Sequence, residues 1–288
     1  MYMTIFTSCE QAIRDCLQQQ TFSIAHLYSQ EKTMDMHIHD CYELYYSISG
    51  GKQFLIDNKV YSVAPGDLFI INQFESHKLG DVDSNTHERI ILNIHPNFVK
   101  ALSTEQTDLD ECFSKHPSGF QHKISLSKEN QSRFLYQVDK LASADGYGSD
   151  IIQRATFLEL LVMLNRLSTY NAAEHAVLNY KLDHQVDEIL AYINQNLSVQ
   201  ITIQALAEHF YMSPSYLCRI FKKATGTTVG KYINARRITI ARALLSEGSS
   251  VTQAYERSGF TDYSSFFKTF TKVVGVSPKK YATLSHTV

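Results

Sequence analysis

No two cysteines in this chain stand at C-x-x-C spacing. The five present (Cys9, Cys16, Cys41, Cys112, Cys218) are scattered and odd in number. A disulfide framework does not account for them, and reduced thiols in a cytoplasmic protein are expected. No apolar run reaches the roughly 18 residues that a membrane helix needs, so no membrane partner is expected. The opening MYMTIFTSCEQAIRDC lacks a basic start followed by a long apolar stretch, and so does not read as a secretion signal. Charged residues are scarce at 19 % against 44 % apolar, which excludes a disordered chain. Its 288 residues suffice for two ordinary domains.

The whole-chain charge of −2 hides an asymmetry. Residues 1–180 carry 14 Lys+Arg against 22 Asp+Glu, and residues 181–288 carry 13 against 7, which together give the chain's 27 and 29. An acidic part joined to a basic part suggests two tasks, with a polyanion such as nucleic acid as partner of the second.

The basic part is helical throughout and contains a repeat. DHQVDEILAYINQNL places Val186, Ile189, Leu190, Ile193 and Leu197 on one stripe. ITIQALAEHF follows as a short helix with Thr202 as N-cap. YMSPSYLCRIFKKATG is a second, with Ser213 as N-cap, Pro214 in the first turn and Gly226 as terminator. This is a helix-turn-helix pattern. It returns 48 to 49 residues later: Ser213 corresponds to Asp262, Leu217 to Phe266, Phe221 to Phe270, Lys223 to Lys272 and Gly226 to Gly275. Arg219 corresponds to Lys268, so a cation recurs on the outer face of each second helix. TVGKYINARRITIARALLSEG reads as one long connecting helix. Each second helix can enter a major groove, the two about 34 Å apart along double-stranded DNA.

The runs S-x-x-Y-L-x-R-x-F-K-K-x-x-G (Ser213 to Gly226), R-I-x-x-A-x-x-L-L (Arg237 to Leu245), G-F-x-D-x-S-x-F (Gly259 to Phe266) and G-x-S-P-x-x-Y (Gly275 to Tyr281) resemble the DNA-binding domain of the AraC/XylS family of bacterial transcription regulators. Tyr255 departs from that family's pattern, standing where alanine is usual. The DNA-binding residues expected are Ser213, Ser215, Tyr216, Cys218, Arg219, Lys222 and Lys223 on the first unit, and Tyr263, Ser264, Ser265, Lys268 and Lys272 on the second. Arg219 is the leading base reader, because a guanidinium can donate two bonds to a guanine edge. The lysines, Lys279 and Lys280 included, suit phosphates.

Residues 20 to 100 switch to a two-residue period with turn signals between short runs, which fits a small antiparallel barrel or jelly roll. No helix longer than a turn is expected before about residue 97. In HIHDCYE the residues His37, His39, Cys41, Glu43 and Tyr45 share strand parity. This stretch and GDLFIINQFESH resemble the two motifs of the cupin superfamily, and His37, His39, Glu43 and His77 fall on its metal-ligand positions. Alone, that pattern would imply an enzyme, a cupin metalloenzyme tethered to DNA. Beside an AraC-type DNA-binding domain, the resemblance implies a ligand-sensing pocket without catalysis. His37, His39, Glu43, Tyr45, Phe69 and His77 are its expected lining, with a polar effector, a carbohydrate by resemblance. No cofactor is required on this reading, and a divalent metal on the same four residues is the second reading.

Two helical stretches follow, SKENQSRFLYQVDKLASA and IIQRATFLELLVMLNRLSTY. The second is apolar nearly all round and is expected to meet both the barrel and a second subunit. The organisation expected is therefore an N-terminal all-β cupin-like domain with its helices (1–170, the helices at about 126–169 dimerising), a linker (171–180) and a C-terminal all-α tandem helix-turn-helix domain (181–288). The function implied is a ligand-responsive transcription activator, a homodimer acting with RNA polymerase. Effector is expected to act through the packing of the barrel on residues 130 to 168.

Overall fold

A computed structural model describes residues 5–29, 36–49, 53–57, 59–73, 75–80, 87–114, 121–174, 184–225 and 227–285. The first half contains strand β1 (Ile5–Phe6), helix α1 (Cys9–Gln19), and strands β2 (Phe22–Ser29), β3 (Tyr42–Ser49), β4 (Gln53–Ile56), β5 (Lys59–Ser62), β6 (Asp67–Ile71), β7 (His77–Gly80) and β8 (His87–Ile94). Helices α2 (Pro96–Leu102) and α3 (Glu111–Ser114) precede strand β9 (Lys123–Ser125). The strands pair as a six-stranded sheet, β1-β2-β8-β3-β6-β9, and a three-stranded sheet, β5-β4-β7.

Helix α1 corrects the expectation of no helix longer than a turn before about residue 97. Its buried residues are only Ala12 and Cys16, one turn apart, and two small side chains make a faint apolar stripe. Ser23 Oγ on β2 donates to the Ala12 carbonyl at 2.7 Å and ties the helix to the large sheet.

The period-two pattern sorts side chains between two cores. On β3, Tyr42, Leu44 and Tyr46 join Leu68, Ile70, Leu92 and Ile94 under a helical layer. Tyr45 points the other way. It meets Phe69, Ile71 and Ile91 of its own sheet and Phe54, Ile56 and Leu79 of the small one. The helical layer is α4 (Lys128–Ser143) and α5 (Ser149–Glu174), which contribute Phe134, Val138, Leu141, Phe157, Leu160, Leu161 and Leu164. Leu135 on α4 is exposed, as are Ile151 and Ile152 at the start of α5. Helix α5 runs to Glu174, into the stretch expected as linker; the rest of that linker lies outside the described residues.

The second half is α6 (His184–Gln195), α7 (Ile203–His209), α8 (Pro214–Thr225), α9 (Val229–Ser246), α10 (Val251–Arg257), α11 (Tyr263–Val274) and α12 (Pro278–Ser285). The capping expected of Thr202, Ser213 and Asp262 is present, their side chains accepting from the N–H of Ala205, Tyr216 and Ser265. Gly275 ends α11 at φ +82°; Gly226 lies outside the described residues. Helix α9 serves two cores. Val229, Tyr232 and Ile233 pack with α6, α7 and α8, whereas Ala235, Ile238, Ala241 and Leu245 pack with Ala254, Phe266, Phe270 and Tyr281. Tyr255 is accommodated half-buried, edge-on to Tyr263 and tilted against Phe266. Arg237 donates from Nε to the Leu197 carbonyl and from Nη2 to that of Val199, stapling the chain after α6 to α9. Among the described residues, no helix is long and apolar enough to cross a membrane.

Candidate functional site

Two surfaces carry chemistry. The first lies at one end of the barrel. Residues 36–41 approach β7 as an extended segment, and His37 and His77 exchange both backbone bonds at 3.1 Å. That pairing, with the start of β3, brings His37, His39, Glu43 and His77 together, their ligand atoms all within 4.8 Å of one another. His39, Glu43 and His77 are buried and His37 is half-buried.

The ring nitrogens are oriented by backbone. His39 Nδ1 lies 2.9 Å from the Cys41 carbonyl, and His77 Nδ1 lies 2.9 Å from that of Glu75. A carbonyl only accepts, so each Nδ1 carries the proton and each Nε2 faces the cluster. His39 Nε2 is 2.9 Å from Glu43 Oε2. His77 Nε2 is buried without a hydrogen-bond partner, 3.7 Å from the same oxygen. Lone pairs of neutral rings would confront a carboxylate, so the arrangement calls for positive charge, on the rings or between them. Burial alone would raise the Glu43 carboxyl; the His77 charge beside it and the hydrogen bond from His39 outweigh burial and hold the group well below the usual range. Burial would lower His77, and the Glu43 charge reverses that.

Tyr45 and Phe69, expected as lining, are fully buried in the aromatic fill with Phe54, at centroid separations of 4.8 to 5.9 Å. Tyr45 Oη lies 2.6 Å from His87 Nε2. Sequence reasoning missed His87, and also the buried chain Tyr61–His122–Glu75, with His122 Nδ1 2.8 Å from Tyr61 Oη and Nε2 3.2 Å from Glu75 Oε1. His122 lies far along the chain from the motif stretches, so no local spacing pointed to it.

The second surface lies on α8 and α11. Leu217, Ile220 and Phe221 are buried, while Ser213, Ser215, Tyr216, Arg219, Lys222 and Lys223 are exposed and Cys218 is half-buried. The Arg219 guanidinium stands 5.1 Å from the centroid of the Tyr216 ring, which limits where it can reach. On α11, Phe266 and Phe270 are buried and Tyr263, Ser264, Ser265, Lys268 and Lys272 are exposed. Phe267, 40 % exposed, is a further large side chain beside this face that the repeat comparison passed over, since its counterpart is the small Cys218. Lys279 and Lys280 are exposed on the first turn of α12.

Residues 21–161 match the family described as AraC-like ligand binding domain, and residues 206–283 match one described as helix-turn-helix domain. The melibiose operon regulatory protein of Escherichia coli (strain K12) is 26 % identical over 290 residues, covering 93 % of each chain. The HTH-type transcriptional activator RhaS of Salmonella arizonae is 25 % identical over 246 residues, covering 84 % of this chain and 85 % of that one. Among solved structures, ToxT from Vibrio cholerae strain SCE256, bound to an unsaturated fatty acid, is 14 % identical with a TM-score of 0.40, covering 93 % of this chain and 97 % of its own.

Proposed function

The chain belongs to the AraC family of transcription regulators, with a ligand-binding domain ahead of a helix-turn-helix DNA-binding region, and from that premise we propose that it is an activator answering to a carbohydrate received at the barrel cluster. The observation that carries the reading is the joining of a buried, charge-oriented cluster to two capped helices whose polar faces stay exposed in the whole chain. The carbohydrate class is supported by the melibiose operon regulator, and activation by the relative named as a transcriptional activator. An activator of this kind acts with RNA polymerase. The exposed Ile151 and Ile152 support a homodimer through α5.

The reading includes no catalysis. The space between the sheets is filled by Tyr45, Phe54 and Phe69, and His37 is the half-buried member of the cluster. The donor set does fit a divalent transition ion: three imidazoles and a carboxylate converge, two rings have Nδ1 committed to backbone, and His77 Nε2 is otherwise unpartnered. His37, His39, Glu43 and His77 would hold it, and it would supply a Lewis-acidic point for sugar hydroxyls.

A thermal-shift screen of mono- and disaccharides, run with and without Zn(II), tests the effector class. The reading expects at least one saccharide to raise the melting temperature of the wild type but not of Glu43→Gln. Saccharides that never shift the wild type, while small organic acids do, would overturn the carbohydrate reading.

A further inference from the structure

Residues 36–40 are two-faced. The odd positions, His37 and His39, enter the cluster. The even positions face the DNA-binding half: Met36 and Ile38 pack beside Ala235, Ile238 and Ala241 of α9, and Asp40 accepts from Arg242 and, at 2.9 Å, from Tyr281 Oη. The other ligand-bearing strand has an anchor of the same kind. Ser76, the neighbour of His77, donates from its backbone N–H to Asp57 Oδ1 at 2.9 Å, and that oxygen also accepts from Arg236 of α9. Arg236 Nε in turn donates to Asn194 of α6 at 2.8 Å, and Leu55 of β4 sits in the core built by α6 to α9. Both routes from the cluster reach α9, the one helix among the described residues with buried side chains in both helix-turn-helix cores.

We propose that residues 36–40 form a strap through which filling the cluster fixes α9, and with it the pose of both recognition helices, against the barrel. The proposal rests on the cluster being the effector site. It departs from the expected route through residues 130 to 168, because the contacts described between the halves leave from Met36, Ile38 and Asp40 of the strap and from Leu55, Asp57 and Val60 on and between β4 and β5, beside His77. A filled cluster ties His37 and His39 of the strap to Glu43 and His77 of the barrel, so Ile38 and Asp40 are presented to α9 from a fixed backbone. Docking does not act by covering the DNA face, since Ser215, Arg219, Ser264, Ser265 and Lys268 stay exposed while α9 is docked. It selects an orientation instead.

Linkage makes the effect reciprocal: whatever loosens α9 must weaken binding at the cluster. The test uses full-length protein and Zn(II) alone, with affinity read by competition against a chromophoric chelator. Arg236→Gln/Arg242→Gln, both changes on α9 and none in the cluster, should bind Zn(II) ~5-fold or more weakly than wild type, the lower end of usual coupling. Tyr281→Phe, which removes one hydroxyl, should shift it less and in the same direction. Hydrogen exchange of α9 amides should slow on adding Zn(II) to wild type and not to the double variant. Zn(II) affinities within twofold of each other, or α9 exchange indifferent to bound Zn(II), would overturn the strap and leave the cation reading standing. If wild type binds no Zn(II), the cation reading fails. The strap is then judged by Glu43→Gln, in which α9 must exchange faster than in wild type without metal; unchanged exchange overturns it.

Discussion

At the residue scale, Gly259 shows how a recognisable motif can be structural. Its φ is +84°, and a Cβ there would lie 1.9 Å from the Leu197 carbonyl oxygen, which also accepts from Arg237. Gly259→Ala should therefore lower stability by about 2 kcal/mol or more, the left-handed backbone and the clash both contributing; unchanged urea unfolding would contradict this. Arg219 is the opposite case, exposed and stacked on Tyr216. Arg219→Ala should weaken operator binding by ~1–3 kcal/mol and relax preference at one base, measured by fluorescence anisotropy on a panel of base-substituted sites. His87 gives a pH dependence. Burial first, and then the Arg89 charge, pull its pKa from 6.5 down to about 4. The fold thus favours the neutral ring. The stability this adds is complete above pH 6.5 and is lost as pH falls toward 4, because the unfolded chain takes up the proton first. An NMR titration midpoint near 4 is expected for His87, and one at 6.5 would contradict its burial. His37, His39, Glu43 and His77 were legible because two short motifs carry all four. Asp40–Arg242 was not, because 202 residues separate the partners and each alone looks like an ordinary surface charge.

At the element scale, the second half was more legible than the first. Its helices begin on side chains that name themselves: Thr202, Ser213 and Asp262 all accept from the expected turn. Asp262→Ala should destabilise the protein through the lost cap of α11, seen as a lower denaturant midpoint with an unchanged slope. Helix α1 was hidden because Ala12 and Cys16 are small and because strands dominate its surroundings. The sequence makes helix α5 apolar nearly all round, and the fold puts Phe157, Leu160, Leu161 and Leu164 in the core with the sheet while leaving Ile151 exposed. Periodicity ranks positions by hydrophobicity; it does not say which of two apolar sides finds a partner within one chain. The repeat comparison likewise placed Phe267 opposite a cysteine and so passed over it. If Phe267 meets a thymine methyl from α11, Phe267→Ala should weaken operator binding at one thymine and leave binding to its uracil-substituted site unchanged.

At the scale of the whole molecule, the sequence divided the chain correctly into a sensing half and a DNA-binding half, because period and charge both change between them. What it could not supply is how the halves meet. That contact includes the pairs Asp40–Arg242 and Asp57–Arg236, which no local pattern links. The central claim is that one chain reads two successive groove segments under control of the barrel. It is tested most directly by a DNase footprint on the DNA flanking the chain's own coding region, with and without a saccharide identified by thermal shift. The account predicts two protected patches per subunit about one helical turn apart, both weakened by Arg219→Ala/Lys268→Ala, with half-site occupancy changing when the saccharide is added. A single patch per subunit, or protection indifferent both to that variant and to every saccharide that binds the barrel, would contradict it.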